Sequence, residues 1–153
     1  MRTVSALAVF CATVLWGANP DQPAYWSASQ LKAIDQKLAA NVNPETHVAV
    51  DRLMDGVTVL HRTGPSGAEI HTHLADFISI QKGEGWVQVG GSIVDGKPSG
   101  PGEVRGKSIE GGTKYSFKAG DNLYIPANTV HQFFVDPGQE LSLTIVKIAP
   151  KQQ

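Results

Sequence analysis

The stretch GPSGAEIHTHLADFISIQKGEGWVQVGG, residues 64–91, holds the pattern that decides the fold. His71 and His73 stand two positions apart in it, and residues i and i+2 of a β-strand point to the same face of a sheet. A third histidine, His131, comes much later in the chain, after the turn at residues 125–128. Neutral imidazole is the commonest protein ligand for transition metals, and three imidazoles leave coordination positions open. The three histidines therefore predict a metal site that is open to substrate or water.

A second stretch, GDNLYIPANTVH at residues 120–131, sets a glycine, a proline and a histidine at regular positions. Together the two stretches resemble the two motifs of the cupin superfamily, with an acidic residue at Asp76 and the glycine that follows it at Gly83. The resemblance covers roughly residues 64–135. It implies an all-β chain folded as a double-stranded β-helix, or jelly-roll, barrel. It also implies that the metal is held by His71, His73, Asp76 and His131.

The chain departs from the family pattern at three positions. Family members usually have glutamate at the place of Asp76, with three or four residues after the second histidine, whereas only Leu74 and Ala75 separate His73 from Asp76. Asp76 is therefore either a direct or water-bridged ligand, or not a ligand. Asn128 replaces a turn glycine, and asparagine tolerates the left-handed conformation, so the turn is expected to form. Val135 replaces a polar residue of the usual pocket.

Around the motifs, strand alternation predicts a mostly apolar pocket with the metal at its base. Its expected lining residues are His61, Ile78, Ile80, Phe133 and Val135. His61 shares a strand face with Val57 and Val59, so it points into the barrel if that face is the buried one; a purely structural role for it is the alternative. Such a pocket suits a small organic molecule that presents one or two oxygens to the metal.

The expected cofactor is one divalent transition metal, and Fe, Zn, Mn, Cu and Ni are all compatible with the ligands. With iron, the resemblance implies a dioxygenase or another metal-dependent oxidoreductase acting on phenols, diketones or thiols. With zinc, the same ligands favour a lyase, an isomerase or a hydrolase. A non-catalytic small-molecule-binding barrel, with a structural metal or none, is a further alternative. Residue spacing identifies no catalytic acid or base.

Length and charge fit one small domain with a small-molecule partner. The chain has 153 residues, of which 41% are hydrophobic, and a formal net charge of −1. It has no long basic run, so neither nucleic acid nor an anionic membrane surface is expected as a partner.

The N-terminus predicts export. Arg2 precedes the apolar residues 4–15, which is typical of a secretory signal peptide over residues 1–18, with a cleavage site that can lie as late as residue 24. The only cysteine, Cys11, lies in this segment. The mature protein is expected in the periplasm or outside the cell, without a membrane partner.

One helix is predicted within residues 25–44, and the barrel within residues 46–150. Ser27 and Gln30 form a capping box, and Pro44 prevents continuation. The apolar stripe of the helix is expected to pack on the barrel or on a second subunit, and cupin barrels commonly dimerise, so a homodimer is expected. The predicted strands are 57–63, 77–81, 86–89, 115–117, 122–125, 132–135 and 141–148, with a flexible loop in the glycine-rich residues 96–112.

Overall fold

The computed structural model describes residues 21–149. The predicted signal peptide, residues 1–18, lies outside this range. Within it, no helix combines the length and the apolar character needed to cross a membrane.

The N-terminal helix, α1, spans Ala28–Ala39. The backbone N–H of Gln30 donates to the hydroxyl of Ser27, while the Gln30 side chain accepts from the Ser27 N–H at 2.8 Å, so the predicted capping box is confirmed. The helix ends at Ala39, where the side-chain amide of Asn41 donates to the carbonyl of Lys37. Asn43 directs a separate turn before Pro44 is reached. The side-chain oxygen of Asn43 accepts from the backbone N–H groups of Glu45 and Thr46 at 2.8 and 3.0 Å.

Thirteen strands follow the helix within the described residues, and all of their pairings are antiparallel. They are β1 Val48–Met54, β2 Val57–Arg62, β3 Ala68–His71, β4 Ala75–Lys82, β5 Glu84–Val89, β6 Ser92–Val94, β7 Lys97–Gly100, β8 Glu103–Gly106, β9 Ser108–Glu110, β10 Thr113–Lys118, β11 Asn122–Ile125, β12 His131–Phe134 and β13 Leu141–Ile148.

Two sheets enclose the main core. The first sheet has the order β1-β2-β13-β4-β11 and the second the order β10-β5-β12-β3-β8-β7, while β6 and β9 form a separate pair. Buried apolar side chains from both sheets meet between them: Ile78, Ile80, Ile125, Leu141 and Leu143 from the first, and Val87, Phe117 and Phe133 from the second, with Val135 beyond β12. The prediction of an all-β barrel with one leading helix is confirmed.

A second core lies on the outer face of the first sheet. There Leu38 of α1 packs with Ala49, Leu53 and Val59, and Leu31 and Ile34 complete the contact. The helix therefore covers its own barrel, and both faces of the first sheet are buried where α1 lies.

The expectation of a flexible loop at residues 96–112 is wrong. This segment contains β7, β8 and β9, and β8 pairs with β3 over four residues. Gly102, with a φ of 72°, allows the reversal between β7 and β8 that the pairing needs. The segment is held by strand pairing and lacks the apolar alternation that makes strands visible in a sequence.

Candidate metal centre

Three side chains from two neighbouring strands converge inside the barrel. Glu69 and His71 lie two positions apart on β3, and Glu69 is directly opposite His131 of β12. One ligand atom from each of the three lies within 4.8 Å of the other two. Residues i and i+2 of one strand and the residue opposite share a face, so the pairing of β3 with β12 is what assembles this group.

In each of the two imidazoles, one ring nitrogen is hydrogen-bonded and the other has no hydrogen-bond partner among the described residues. The Nδ1 of His71 lies 2.6 Å from Glu103 Oε1, and the Nδ1 of His131 lies 3.0 Å from the carbonyl oxygen of Thr129. The Nε2 atoms of both rings are buried and have no hydrogen-bond partner among the described residues. A hydrogen bond donated by Nδ1 leaves the lone pair on Nε2, which is the arrangement of a metal-binding histidine.

Asp76 faces both free nitrogens. Its Oδ2 lies 3.3 Å from the Nε2 of His71 and 3.6 Å from that of His131, and the residue is only 2% exposed. Its other oxygen, Oδ1, lies 2.6 Å from the ammonium of Lys147, the residue directly opposite on β13.

The surrounding charges keep both carboxylates ionised. Burial by itself raises the pKa of Glu69, but contact with His131 and the charges of His131, Arg105 and His71 outweigh it and lower that pKa to about 2. The guanidinium of Arg105 lies 2.7 Å from Glu69 Oε2. Burial likewise raises the pKa of Asp76, but its contacts with His71 and Lys147 bring it below its ordinary value.

His71 shifts in the opposite direction. Burial lowers the pKa of its imidazole and the charge of Lys147 does the same, but the interactions with Asp76 and Glu103 outweigh them, so the pKa is raised. The raised pKa means that a proton competes with a metal ion for the Nε2 of His71, which lies 3.3 Å from Asp76.

Of the four predicted ligands, the structure brings together His71, Asp76 and His131 but not His73. Strand β3 ends at His71, and His73 lies exposed in the bend that follows, with its ring against Gly102. The alternation rule applies only inside a strand, so the expected convergence of His71 and His73 is not observed.

Glu69, which sequence reasoning missed, occupies the strand position expected of a histidine. Taking Glu69-Ile70-His71 as the paired ligands leaves four residues, 72–75, before Asp76, which is the usual separation in the family. The short gap between His73 and Asp76 was thus the signal of a shifted register. Lys147 had a signal too, because it alternates with the inward Leu143 and Ile145 on β13. Glu103 had none.

The predicted pocket residues divide into two groups. Ile78, Ile80, Phe133 and Val135 are at most 6% exposed and belong to the packed core of the barrel. His61 does not point into the barrel: its neighbour Leu60 does, and the His61 ring reaches Asp35 of α1. The sheet face that His61 shares with Val59 is buried, but it is covered by α1 and does not face the inside of the barrel.

An open cavity of about 580 Å³ is lined by residues of β5 and β11, the strands that pair with those carrying His131 and Asp76. It lies between β10 and β11, the edge strands of the two sheets, with Tyr115, Val87 and Leu123 in its wall. Val89, also in the wall, is directly opposite His131, and Ile125 is directly opposite Asp76. Paired residues share a face, so Val89 and Ile125 link the apolar wall of the cavity to the side of the sheets on which His131 and Asp76 lie.

Comparison with known proteins agrees with this architecture. A protein from Bacillus halodurans is similar over 90% of this chain and 89% of its own, with 18% identity and a TM-score of 0.53. A Klebsiella pneumoniae protein with a double-stranded β-helix domain is similar over 61% of this chain and 65% of its own, with 20% identity and a TM-score of 0.43. The chain has the cupin fold.

Hydroquinone 1,2-dioxygenase from Sphingomonas is also similar, over 62% of this chain and 59% of its own, with 16% identity and a TM-score of 0.47. The chain thus spans less than two thirds of the length of this enzyme and of the Klebsiella protein. Neither a protein-family model nor a curated protein sequence matches it. These likenesses concern the fold and carry no chemistry over to this chain.

Proposed function

We propose that this cupin is a metal-dependent oxidoreductase of the dioxygenase type that acts on a small organic molecule. The observation that carries the proposal is the pair of buried Nε2 atoms, on His71 and His131, that have no hydrogen-bond partner in the described part of the chain and face two carboxylates. Burying polar atoms without partners is costly, and a cation bound between them removes that cost.

The donor set fits a divalent transition metal. Glu69, His71, Asp76 and His131 would hold it, through two imidazole nitrogens and two carboxylates. Their two negative charges match the charge of a dication. Four protein ligands leave two positions free on a six-coordinate metal. The mixture of nitrogen and oxygen donors favours iron or manganese over copper. A site made of three imidazoles is better suited to copper.

Surrounding residues keep the ligands in place. Glu103 accepts the Nδ1–H of His71 and fixes the orientation of its ring, as carboxylates beside metal-bound histidines do. Arg105 holds the second oxygen of Glu69, and Lys147 holds that of Asp76. Each of these side chains leaves one ligand atom directed at the centre.

The cavity determines which substrates reach the centre. Its wall of Val87, Val89, Leu123 and Ile125 binds an apolar body and excludes water from it, while the phenol group of Tyr115 offers a polar contact near the mouth. The matching substrate is a compact molecule with an apolar skeleton and one or two oxygens, such as a phenol or a diketone. When bound, iron or manganese would supply redox chemistry and polarise a substrate oxygen. A dioxygenase transfers both atoms of dioxygen to its substrate and needs no external reductant.

Metal analysis joined to an oxygen-uptake assay tests the proposal. The purified protein is measured by mass spectrometry beside a variant with His71 and His131 both replaced by alanine, and His47→Ala is the matched control. Each protein is then given phenols, catechols and diketones under an oxygen electrode. We expect near-stoichiometric iron or manganese and substrate-dependent oxygen uptake in the parent and the control, and neither in the double variant.

Each other result points away from a dioxygenase. Zinc alone, without oxygen uptake, favours a hydrolase, lyase or isomerase that uses the same ligands. Metal without turnover of any tested class favours a binding barrel. Equal metal contents in the parent and in the double variant would overturn the metal site itself.

A further inference from the structure

A second cavity lies on the opposite side of the first sheet from the metal centre. It has a volume of about 540 Å³ and opens between α1 and the outer face of the sheet. It is lined by Ala28, Leu31, Lys32, Asp35, Gln36, Gln81, Lys82 and Ser142. None of these residues belongs to the metal-ligand group or to the cavity beside it.

Two buried polar side chains lie side by side here: Ser142, which lines the cavity, and His61, which lies behind it and is not part of the lining. Ser142 of β13 is directly opposite His61 of β2, so both side chains point to the helix side of the sheet. They are 1% and 0% exposed. The Oγ of Ser142 and the Nε2 of His61 nevertheless have no hydrogen-bond partner anywhere in residues 21–149. Most buried polar groups in proteins are partnered, so two adjacent exceptions point to a missing ligand.

The contacts of His61 determine what that ligand must offer. Its Nδ1 lies 2.7 Å from Oδ1 of Asp35, which accepts the Nδ1–H and leaves a lone pair on Nε2. On the Nε2 side the Oε2 of Glu140 lies 4.0 Å away, beyond hydrogen-bond distance. Nε2 therefore requires a donor, while the serine hydroxyl can both donate and accept.

A single hydroxyl group meets both requirements, because it can donate its proton to Nε2 and accept the proton of Ser142. The remaining wall suits an uncharged skeleton. Ala28 and Leu31 supply apolar contact, and the ammonium of Lys82 is paired with Glu140 at 2.6 Å. The acidic Asp35 is engaged with His61, so neither Lys82 nor Asp35 calls for a charged ligand, and Lys32 is the remaining charged side chain of the wall.

We propose that this cavity, here called the helix-side pocket, is a binding site for a small alcohol or phenol whose hydroxyl bridges His61 and Ser142. The site is separate from the metal centre, and it holds its ligand whether or not the protein is an oxidoreductase. The Asp35–His61 pair orients the acceptor, and α1 covers the body of the ligand.

Nuclear magnetic resonance on the full chain tests this proposal. The probes are phenol and cyclohexanol, and the controls are toluene and methylcyclohexane, which lack the hydroxyl. We expect the two hydroxyl compounds to shift the ring signals of His61 and to give magnetisation transfer to the methyl groups of Ala28 and Leu31. The hydrocarbons should bind at least about tenfold more weakly, since they lack both hydrogen bonds.

A pair of serine variants locates the hydroxyl. Ser142→Ala should weaken phenol binding about five- to tenfold, which corresponds to one hydrogen bond. The matched variant Ser79→Ala, on the same outer face of the sheet but outside the pocket, should leave it unchanged. The metal content of both variants should equal that of the parent, so failure at the helix-side pocket is distinguishable from failure of the metal site.

Two results would overturn the proposal. One is that saturating phenol neither shifts the ring signals of His61 nor transfers magnetisation to Ala28 and Leu31. This measurement needs no variant. The other is equal affinity for phenol and toluene, which would make the pocket an apolar crevice without a role for the two polar atoms.

Discussion

Glu69 of β3 lies directly opposite His131 of β12, with its Oε1 3.4 Å from the Nε2 of the imidazole. This cross-strand pair joins a carboxylate to a histidine at the middle of the second sheet, and His71 extends it by one step along β3. The metal-ligand group is thus defined by strand register. A shift of β3 by one residue would turn both Glu69 and His71 to the outside of the barrel.

The pair predicts which residues bind metal. Glu69→Gln keeps the shape of the side chain but removes its charge, and we expect it to lower metal affinity by at least about tenfold. His73→Ala, which alters an exposed side chain in a bend, should leave affinity unchanged. Isothermal titration of the metal-free variants with manganese and with zinc measures both effects. Loss of affinity in His73→Ala with retention in Glu69→Gln would show that the histidine motif binds in the register expected from the sequence.

The same two residues show how far sequence reasoning reached. The cupin resemblance and strand alternation predicted the barrel, and the Ser27–Gln30 capping box predicted the leading helix. His71, Asp76 and His131, three of the four predicted ligands, lie together in the structure. His73 does not join them because it lies in a bend after β3, and the shortened gap before Asp76 was already visible in the sequence.

Other features were beyond the reach of local patterns. Strand alternation correctly sets His61 and Leu60 on opposite faces, but both faces of the first sheet are buried, one by the barrel and one by α1. Alternation alone cannot say which buried face is the interior. Likewise, β8 owes its place to pairing with β3 rather than to any apolar period of its own, so Glu103 could not be linked to His71.

Glu103 provides a prediction on metal affinity. Replacing it by alanine removes the acceptor of the His71 Nδ1–H and frees the ring to turn, and changes of this kind beside a metal ligand typically cost about 10- to 100-fold in affinity. Glu103→Gln retains an acceptor without the charge and should give a smaller loss. Competition with a chelator measures the series, with the exposed Glu110→Gln as the matched control. Unchanged affinity in Glu103→Ala would mean that packing alone orients His71.

Lys147 predicts opposite effects on the metal-free and metal-bound forms. Lys147→Met leaves the buried Asp76 without its cation, and we expect the metal-free protein to lose about 1–3 kcal/mol of unfolding free energy. A dication would then meet less repulsion, so metal should raise the melting temperature more in this variant than in the parent. Thermal unfolding with and without manganese measures both, and Lys107→Met, at an exposed position, is the control. An equal metal-induced rise in all three proteins would contradict the expected repulsion.

The acid limit of metal binding follows from the proton on His71. Metal and proton compete for its Nε2, so affinity is constant above the pKa of this imidazole and falls below it, by about tenfold per pH unit for each proton displaced. Because that pKa is raised, the fall should begin at a higher pH than for an unperturbed histidine. The carboxylates, with lowered pKa values, stay ionised throughout this range.

The variant Glu103→Gln tests whether the proton on His71 sets the pH at which metal binding begins to fall. Glu103 is one of the groups that raise the pKa of His71, so removing its charge should move the onset of metal loss to lower pH, even though the plateau affinity is reduced. Metal titrations at a series of pH values give both quantities. An onset that moves to higher pH, or does not move, would mean that a different group takes up the proton when metal leaves.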